Sequence, residues 1–327
     1  MSDDRKILAI YTGGTIGMVA TDAGLAPKSG FLADYINDTL YPDAQNRPNF
    51  DLIEFSPLLD SSQLSPHNWN EMAQCIADHY EQYDGFLVIH GTDTLSYTAS
   101  ALAFMLRNLA KPVVVTGAML SVVEENSDGP DNLRHGFQSL MTGGFDQVMV
   151  SFHGQLIPGS HVSKVDSFSL DAFWPPVGIA TAPEPTGNGF QQLQVSPQEI
   201  CVFTFYPGCS YTPLEQALAG NAKAIVLRSY GSGNGPDDQA LVALLARAQQ
   251  QGLLVVNMSQ CLKAAVDMTR YAAGEHFHRH GVISAQTLTF EALITKLTVI
   301  LSQPDLAPEA AKHLLTPWAL ELPTRPE

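Results

Sequence analysis

Asp84-Gly85-Phe86-Leu87-Val88-Ile89-His90-Gly91-Thr92-Asp93-Thr94-Leu95 is the stretch whose reading decides the fold. Its first half is apolar without alternation, which suits a strand covered on both faces rather than one with a wet side. Glycine, hydroxyls and a carboxylate then end the run, and a helical pattern follows over Thr94–Leu109. The unit is strand, loop, helix.

The pattern recurs on both sides. Upstream, Lys6–Tyr11 is a short apolar strand closed by Thr12-Gly13-Gly14-Thr15. Asn68–Tyr80 is a helix with Trp69, Met72, Ala73, Ile76, Ala77 and Tyr80 on one face, opened by Ser65-Pro66. Downstream, Pro112–Gly117 and Gln147–Phe152 read as strands, followed by Ile200–Phe205, Ala222–Arg228 and Leu253–Met258, with a helix over Asp237–Gln251. Strands alternating with helices predict an α/β protein with mostly parallel sheets flanked by helices. At about 150 residues per domain, the length indicates two domains. Phe173–Pro197 is rich in proline and glycine and is the natural break. A larger N-terminal α/β domain over 1–182, a linker over 183–199 and a smaller C-terminal α/β domain over 200–327 are expected.

The 327 residues carry 33 acidic and 17 basic side chains, a net charge of −16. That balance excludes nucleic acid and anionic membrane as partners, because both need a basic surface. Apolar residues make up 45% of the chain, enough for a substantial core. The N-terminus shows no apolar run and cleavage site of a secretory signal, and no stretch approaches the ~20 apolar residues of a membrane span. A cytoplasmic location is expected. Cys75, Cys201, Cys209 and Cys261 are scattered without a Cys-x-x-Cys pair, as buried free thiols would be.

Ligands of open parallel sheets bind beyond the carboxyl ends of the strands. Three such loops are rich in small, hydroxylated or acidic residues: Thr12-Gly13-Gly14-Thr15, His90-Gly91-Thr92-Asp93-Thr94, and Gly117-Ala118-Met119 with Ser127-Asp128-Gly129-Pro130 beyond it. Thr15 is either part of a plain strand-to-helix turn or a nucleophile in need of a base. Thr92 and Asp93 cap a helix, and the same backbone amides can hold an oxyanion. No phosphate-binding glycine motif is present. His276-x-His278-x-His280 has the wrong spacing for zinc and is expected in a solvated loop. Asp128 and Asp131, at a helix start, are expected to cap it and favour its dipole.

At these motifs the sequence resembles the bacterial-type L-asparaginases, most of all the cytoplasmic type I group. The likeness runs through Tyr11–Met18, Asp84–Leu95, Tyr97–Leu102 and Lys111–Gly117, then Leu227–Gly231, Gly233-Asn234 and Val255–Asn257. The resemblance implies hydrolysis of L-asparagine to L-aspartate and ammonia through an acyl-enzyme, with no metal or organic cofactor. It implies Thr15 as nucleophile, and Thr92, Asp93 and Lys164 as a second catalytic cluster. Asp60-Ser61-Ser62 would clamp the substrate, with Ser61 on the α-carboxylate and Asp93 on the α-ammonium. The backbone of Gly91, Thr92 and Ala118 would lie beside the reacting amide. Self-association into a dimer of dimers is expected by the same likeness, as is an effector site near Arg228 and Cys261. Arg228 alone reads equally as a carboxylate clasp or as half of a structural ion pair.

Departures are visible too. Leu25 stands where family members carry a loop tyrosine, and Ser160 where they often carry an arginine. A relaxed-specificity glutaminase, or a catalytically weak asparagine-binding regulator, is the alternative function.

Overall fold

A strand flanked by helices on both faces has no wet side, and the strands of the first unit are sequences of that kind. A computed structural model describes residues 5–22, 24–175 and 189–321, and among these it resolves two compact units. The first comprises 5–175 and 189–194 of the described residues, the second 195–321. The expected boundary at 182/183 lies outside the described residues.

The first unit opens with β1 (Ile7–Gly13), the hairpin of β2 (Met18–Thr21) and β3 (Gly24–Pro27), and the short helix α1 (Phe31–Asp34). Next come β4 (Phe50–Leu59), α2 (Pro66–Asp78), β5 (Gly85–Ile89) and α3 (Leu95–Met105). A two-residue strand β6 (Leu106–Arg107), β7 (Val113–Thr116), α4 (Gly129–Thr142), β8 (Val148–Phe152) and β9 (Gln155–Pro158) follow. The small hairpin of β10 (Ser163–Lys164) and β11 (Phe173–Trp174) comes after them. Part of the expected linker belongs to this unit: β12 (Gln191–Gln192) pairs antiparallel with β6.

The main sheet has the order β4-β1-β5-β7-β8-β9, parallel except for β9 at one edge. Strands β1, β5, β7 and β8 are buried at every residue, as their unbroken apolar runs require. On one side, Tyr11, Leu87, Ile89 and Val114 pack with Leu133, Phe137 and Leu140 of α4 and Leu32 of α1. α2 starts at a capping box in which the Ser65 and Asn68 side chains satisfy free backbone amides, with Pro66 in the first turn. α3 is buried at ten of its eleven residues. Such a helix has no solvent face and so needs no polar stripe.

The second unit runs β13 (Ile200–Thr204), α5 (Thr212–Ala219), β14 (Ala224–Ser229), α6 (Gln239–Gln250) and β15 (Leu254–Ser259). It ends with α7 (Ala272–Arg279), β16 (Ile283–Ser284), α8 (Phe290–Ser302) and α9 (Ala310–Leu315). Its sheet, β13-β14-β15-β16, is parallel throughout. Both units are α/β as expected. No helix among the described residues is long and apolar enough to cross a membrane.

Two expectations are corrected. Residues 276 to 280 do not form a solvated loop: His276 and His278 are on α7 and His280 caps it. His276 is buried because its neighbour Phe277 packs into the core of the second unit and carries that side of the helix inward. The cysteines are free, but none is fully buried, and Cys261 is exposed in the turn after β15.

Candidate active site

Four loops leave the carboxyl ends of β1, β4, β5 and β7, and close backbone approaches bring them together. Gly14, at φ 89°, lies so near the β5 loop that a Cβ there would stand 2.4 Å from the Gly91 Cα. A Cβ on Gly91 would in turn stand 2.5 Å from the Ser61 Oγ. Only glycine fits either place. The Thr94 hydroxyl donates to the Ser61 carbonyl at 2.7 Å, and the His90 N–H donates to the Thr116 carbonyl at 2.8 Å. Thr15, Ser61, Gly91 and Gly117-Ala118 are thus drawn to one crevice.

The two threonines of the first loop differ in employment. Thr12 is buried and its hydroxyl donates to the Ile89 carbonyl at 3.0 Å, tying β1 to β5. Thr15 is half-buried, and its hydroxyl has no hydrogen-bond partner among the described residues. Only Thr15 presents a hydroxyl for chemistry. Tyr11, just before the loop, is fully buried, and its hydroxyl lies against Gly17 rather than Thr15. Leu25 is exposed on β3, paired with Ala20.

Opposite stands Lys164. The 3₁₀ turn Gly159–His161 rests on α3, where the Ser100 hydroxyl donates to the Gly159 carbonyl at 3.0 Å. The chain then enters β10, which presents the Lys164 Nζ to the Thr92 Oγ1 at 2.9 Å and to the Asp93 Oδ1 at 3.0 Å. The lysine side chain is 19% exposed and the aspartate 62%. An ammonium donating to Oγ1 occupies a lone pair and leaves the Thr92 hydroxyl hydrogen for another acceptor. The arrangement can therefore move a proton between a cation, a hydroxyl and a bound molecule.

Asp60 is exposed and accepts the Ser62 N–H at 2.9 Å, which starts the 3₁₀ turn carrying Ser61. That bond holds its carboxyl below the usual carboxylate range. Ser61 is buried beside Gly91, whereas Ser62 is exposed.

Beneath the loops lies a layer of buried polar side chains whose task differs from the one the sequence suggests. His90 takes part in two hydrogen bonds, one with the Gly91 carbonyl and one with the Thr98 hydroxyl. Asp128 does not cap α4 with its side chain. Its carboxylate instead accepts the Met119 N–H at 3.0 Å on both oxygens and the Leu120 N–H at 3.0 Å. Asn132 donates to the Gly117 carbonyl at 3.0 Å and to Asp128. An interior carboxylate needs donors, and two loop amides and Asn132 supply them, while the first amide of α4, that of Gly129, is already taken by the Ser127 hydroxyl at 3.0 Å. Among the described residues, no group of three His, Cys, Asp or Glu side chains is placed to hold a metal ion.

Residues 6–183 match the family model described as Asparaginase, N-terminal, and residues 199–315 the one described as Glutaminase/Asparaginase C-terminal domain. The chain belongs to the asparaginase family. It is 40% identical over 314 residues to L-asparaginase 1 of Escherichia coli (strain K12), across 91% of this chain and 92% of that protein. The crystal structure of L-asparaginase I from Vibrio cholerae O1 biovar eltor str. N16961 matches with a TM-score of 0.89 and 34% identity, covering 98% of this chain and 99% of that one. The thermostable L-asparaginase from Thermococcus kodakarensis matches with a TM-score of 0.87 and 30% identity, over 98% and 100% of the two chains.

Within this asparaginase fold, Arg228 and Cys261 both lie at the carboxyl edge of the second unit's sheet, where Ser229 of β14 faces Ser259 of β15. No carboxylate pairs with Arg228 among the described residues; its guanidinium stands 5.2 Å from the Phe290 ring centre, and its buried Nε has no partner. Among the described residues Arg228 thus makes an aromatic contact and no ion pair.

Proposed function

We propose that the chain hydrolyses the side-chain amide of L-asparagine, giving L-aspartate and ammonia through an ester on Thr15. The Thr15 Oγ1 attacks the amide carbon, and the negative charge that develops on the amide oxygen is met by the Thr92 N–H. The proton lost by Thr15 passes through the Thr92–Lys164 cluster to the amide nitrogen, which departs as ammonia. Water then attacks the ester, the C–O bond to Thr15 breaks, and the hydroxyl is restored. Ser61 receives the α-carboxylate and Asp93 the α-ammonium, with Asp60 and Ser62 shaping the turn that presents Ser61. Splitting amide cleavage into two acyl transfers replaces one difficult step by two easier ones.

The observation that carries this reading is the Lys164 Nζ within 3.0 Å of both Thr92 and Asp93, in a crevice that also holds the Thr15 hydroxyl, unpartnered among the described residues. The likeness to an L-asparaginase 1 across nearly the full length of both chains supports the choice of substrate. Assembly as a dimer of dimers, a cytoplasmic location and effector binding near Arg228 and Cys261 belong to the same reading. Sedimentation and asparagine saturation curves test the first and last, with a tetramer and sigmoidal saturation expected.

The direct test is ammonia release from L-asparagine, L-glutamine and D-asparagine by the wild-type chain and Thr15→Ala. Release from L-asparagine that Thr15→Ala abolishes, with binding retained by calorimetry, is expected. Binding without release by the wild type would indicate a regulator, and release that survives Thr15→Ala refutes the mechanism.

A further inference from the structure

We infer that His90 is a positioning residue for this reaction, pinning the Gly91 carbonyl from below and so aiming the Thr92 N–H at the amide oxygen of the substrate. The inference rests on the proposed function, since it concerns the same crevice.

His90 is buried at the end of β5, and its Nδ1 lies 2.6 Å from the Gly91 carbonyl oxygen. A carbonyl only accepts, so Nδ1 carries the hydrogen. Burial pushes the imidazole down to about 4, and the ring is neutral at working pH. With its one hydrogen on Nδ1, the Nε2 must accept, and the Thr98 hydroxyl donates to it at 3.0 Å. The Thr98 oxygen accepts in turn from the Trp69 Nε1–H at 3.2 Å. A chain of donors thus runs from α2 through α3 into the imidazole and ends on the Gly91 carbonyl. It fixes both tautomer and ring orientation.

The consequence for the site follows from peptide geometry. The Gly91–Thr92 bond is trans, so its C=O and N–H point in opposite directions. With the oxygen drawn down to the buried imidazole, the Thr92 N–H points out of the core toward the crevice. No protein group accepts it among the described residues. Gly91 is a glycine because Gly14 and Ser61 crowd it, and that freedom makes the peptide easy to turn over. The imidazole removes the freedom that close packing forces on the loop. A donor aimed in advance at a developing oxyanion is worth about 10²–10³ in kcat.

The two nitrogens separate positioning from simple core filling. Asn at position 90 places an amide donor near the Nδ1 position, whereas Gln reaches the Nε2 end and leaves the Gly91 carbonyl unpinned. Steady-state ammonia release should show His90→Gln losing about 10²-fold in kcat, with KM within about threefold of wild type because the substrate clamp is untouched. His90→Asn should recover most of that loss, although both variants remove an aromatic ring from the core. Should His90→Gln fail to fold, Thr98→Val releases the tautomer while leaving the ring, and its kcat should fall with KM held. Equal kcat in the Asn and Gln variants, a loss confined to KM, or an unchanged kcat in Thr98→Val overturns the inference. Thr15→Ala is assayed alongside. If it stays active, or the wild type is inactive, the site reading fails and the inference with it. A Thr15-dependent enzyme indifferent to His90 overturns the inference alone.

Discussion

Replacing Lys164 by methionine should separate catalysis from stability. Methionine keeps the unbranched stem of a residue on β10 and removes only the ammonium. The lost pair joins a mostly buried lysine to an aspartate that is 62% exposed. Solvent-screened pairs of this kind contribute about 0–1 kcal/mol. Urea unfolding of Lys164→Met should therefore give a stability within about 1 kcal/mol of wild type, with an unchanged slope. Turnover should behave differently, because among the described residues the ammonium is the only cation on the Thr92 hydroxyl, 2.9 Å away. Loss of a positioned acid–base group costs about 10²–10⁴ in rate. Ammonia release at saturating asparagine should fall by that factor, with binding to the Thr15→Ala background little changed. Lys164→Arg should restore the pair but not the rate, since a guanidinium does not release its proton near neutral pH. A kcat within tenfold of wild type for Lys164→Met refutes the relay. A stability loss of several kcal/mol would instead assign Lys164 to the fold.

Asp128→Ala leaves the Met119 and Leu120 amides without their acceptor, and should cost about 3–5 kcal/mol in urea unfolding together with most of kcat. A pH series tests the buried imidazole: His90 lies near 4 in the folded chain against an ordinary 6.5, so between those values the unfolded chain binds the extra proton. Stability should fall on acidification through that window, by on the order of 3 kcal/mol, and His90→Asn should lack this part of the slope. Lys296, fully buried in the second unit, donates to the Leu314 and Thr316 carbonyls and to Glu321 at 2.7 Å. Lys296→Met strands the buried Glu321 and should cost about 3–5 kcal/mol, measured by urea unfolding.

What the sequence revealed and what it hid have physical causes. Strands β1, β5, β7 and β8 were legible because burial on both faces demands unbroken apolar runs. β4 was not: as an edge strand it carries Asp51, Glu54 and Pro57, and every one of its residues is half-buried or exposed. Thr15, Thr92 and Asp93 stand directly after strands, where the fold puts ligands, so local reading reached them. Lys164 is 72 positions from Thr92, and no spacing rule joins them; only the family likeness pointed to it. In the sequence His90 stands at the head of a loop motif and Asp128 at a helix start, and neither position betrays its task. Their employment depends on which carbonyl or amide the fold brings over them, and composition carries no trace of that.

The backbone of the third loop yields a last expectation, about product release. Asp128 holds the Met119 N–H, so across the trans Ala118–Met119 peptide the Ala118 carbonyl points the other way, toward the crevice. Under the proposed function the reacting group then lies between a donor, the Thr92 N–H, and an acceptor, the Ala118 carbonyl. A carboxamide satisfies both, with its oxygen on the first and its NH₂ on the second. A carboxylate has no hydrogen to offer, so one of its oxygens is forced against the Ala118 carbonyl. Leaving such a group unmatched costs about 1–3 kcal/mol, or roughly 10–100-fold in affinity. Calorimetry with Thr15→Ala should accordingly find aspartate bound at least tenfold more weakly than asparagine at neutral pH. The gap should narrow as the aspartate side chain, with a pKa of about 3.9, gains a proton and can donate to the carbonyl. Equal affinities at neutral pH would mean that the Ala118 carbonyl does not face the reacting group. The net charge of −16 has no part in this discrimination. It repels aspartate and its proton-bearing form to different degrees only at long range, where salt screens it, while the donor–acceptor match acts within bonding distance and survives high salt. Repeating the titration in concentrated salt therefore tells the two causes apart.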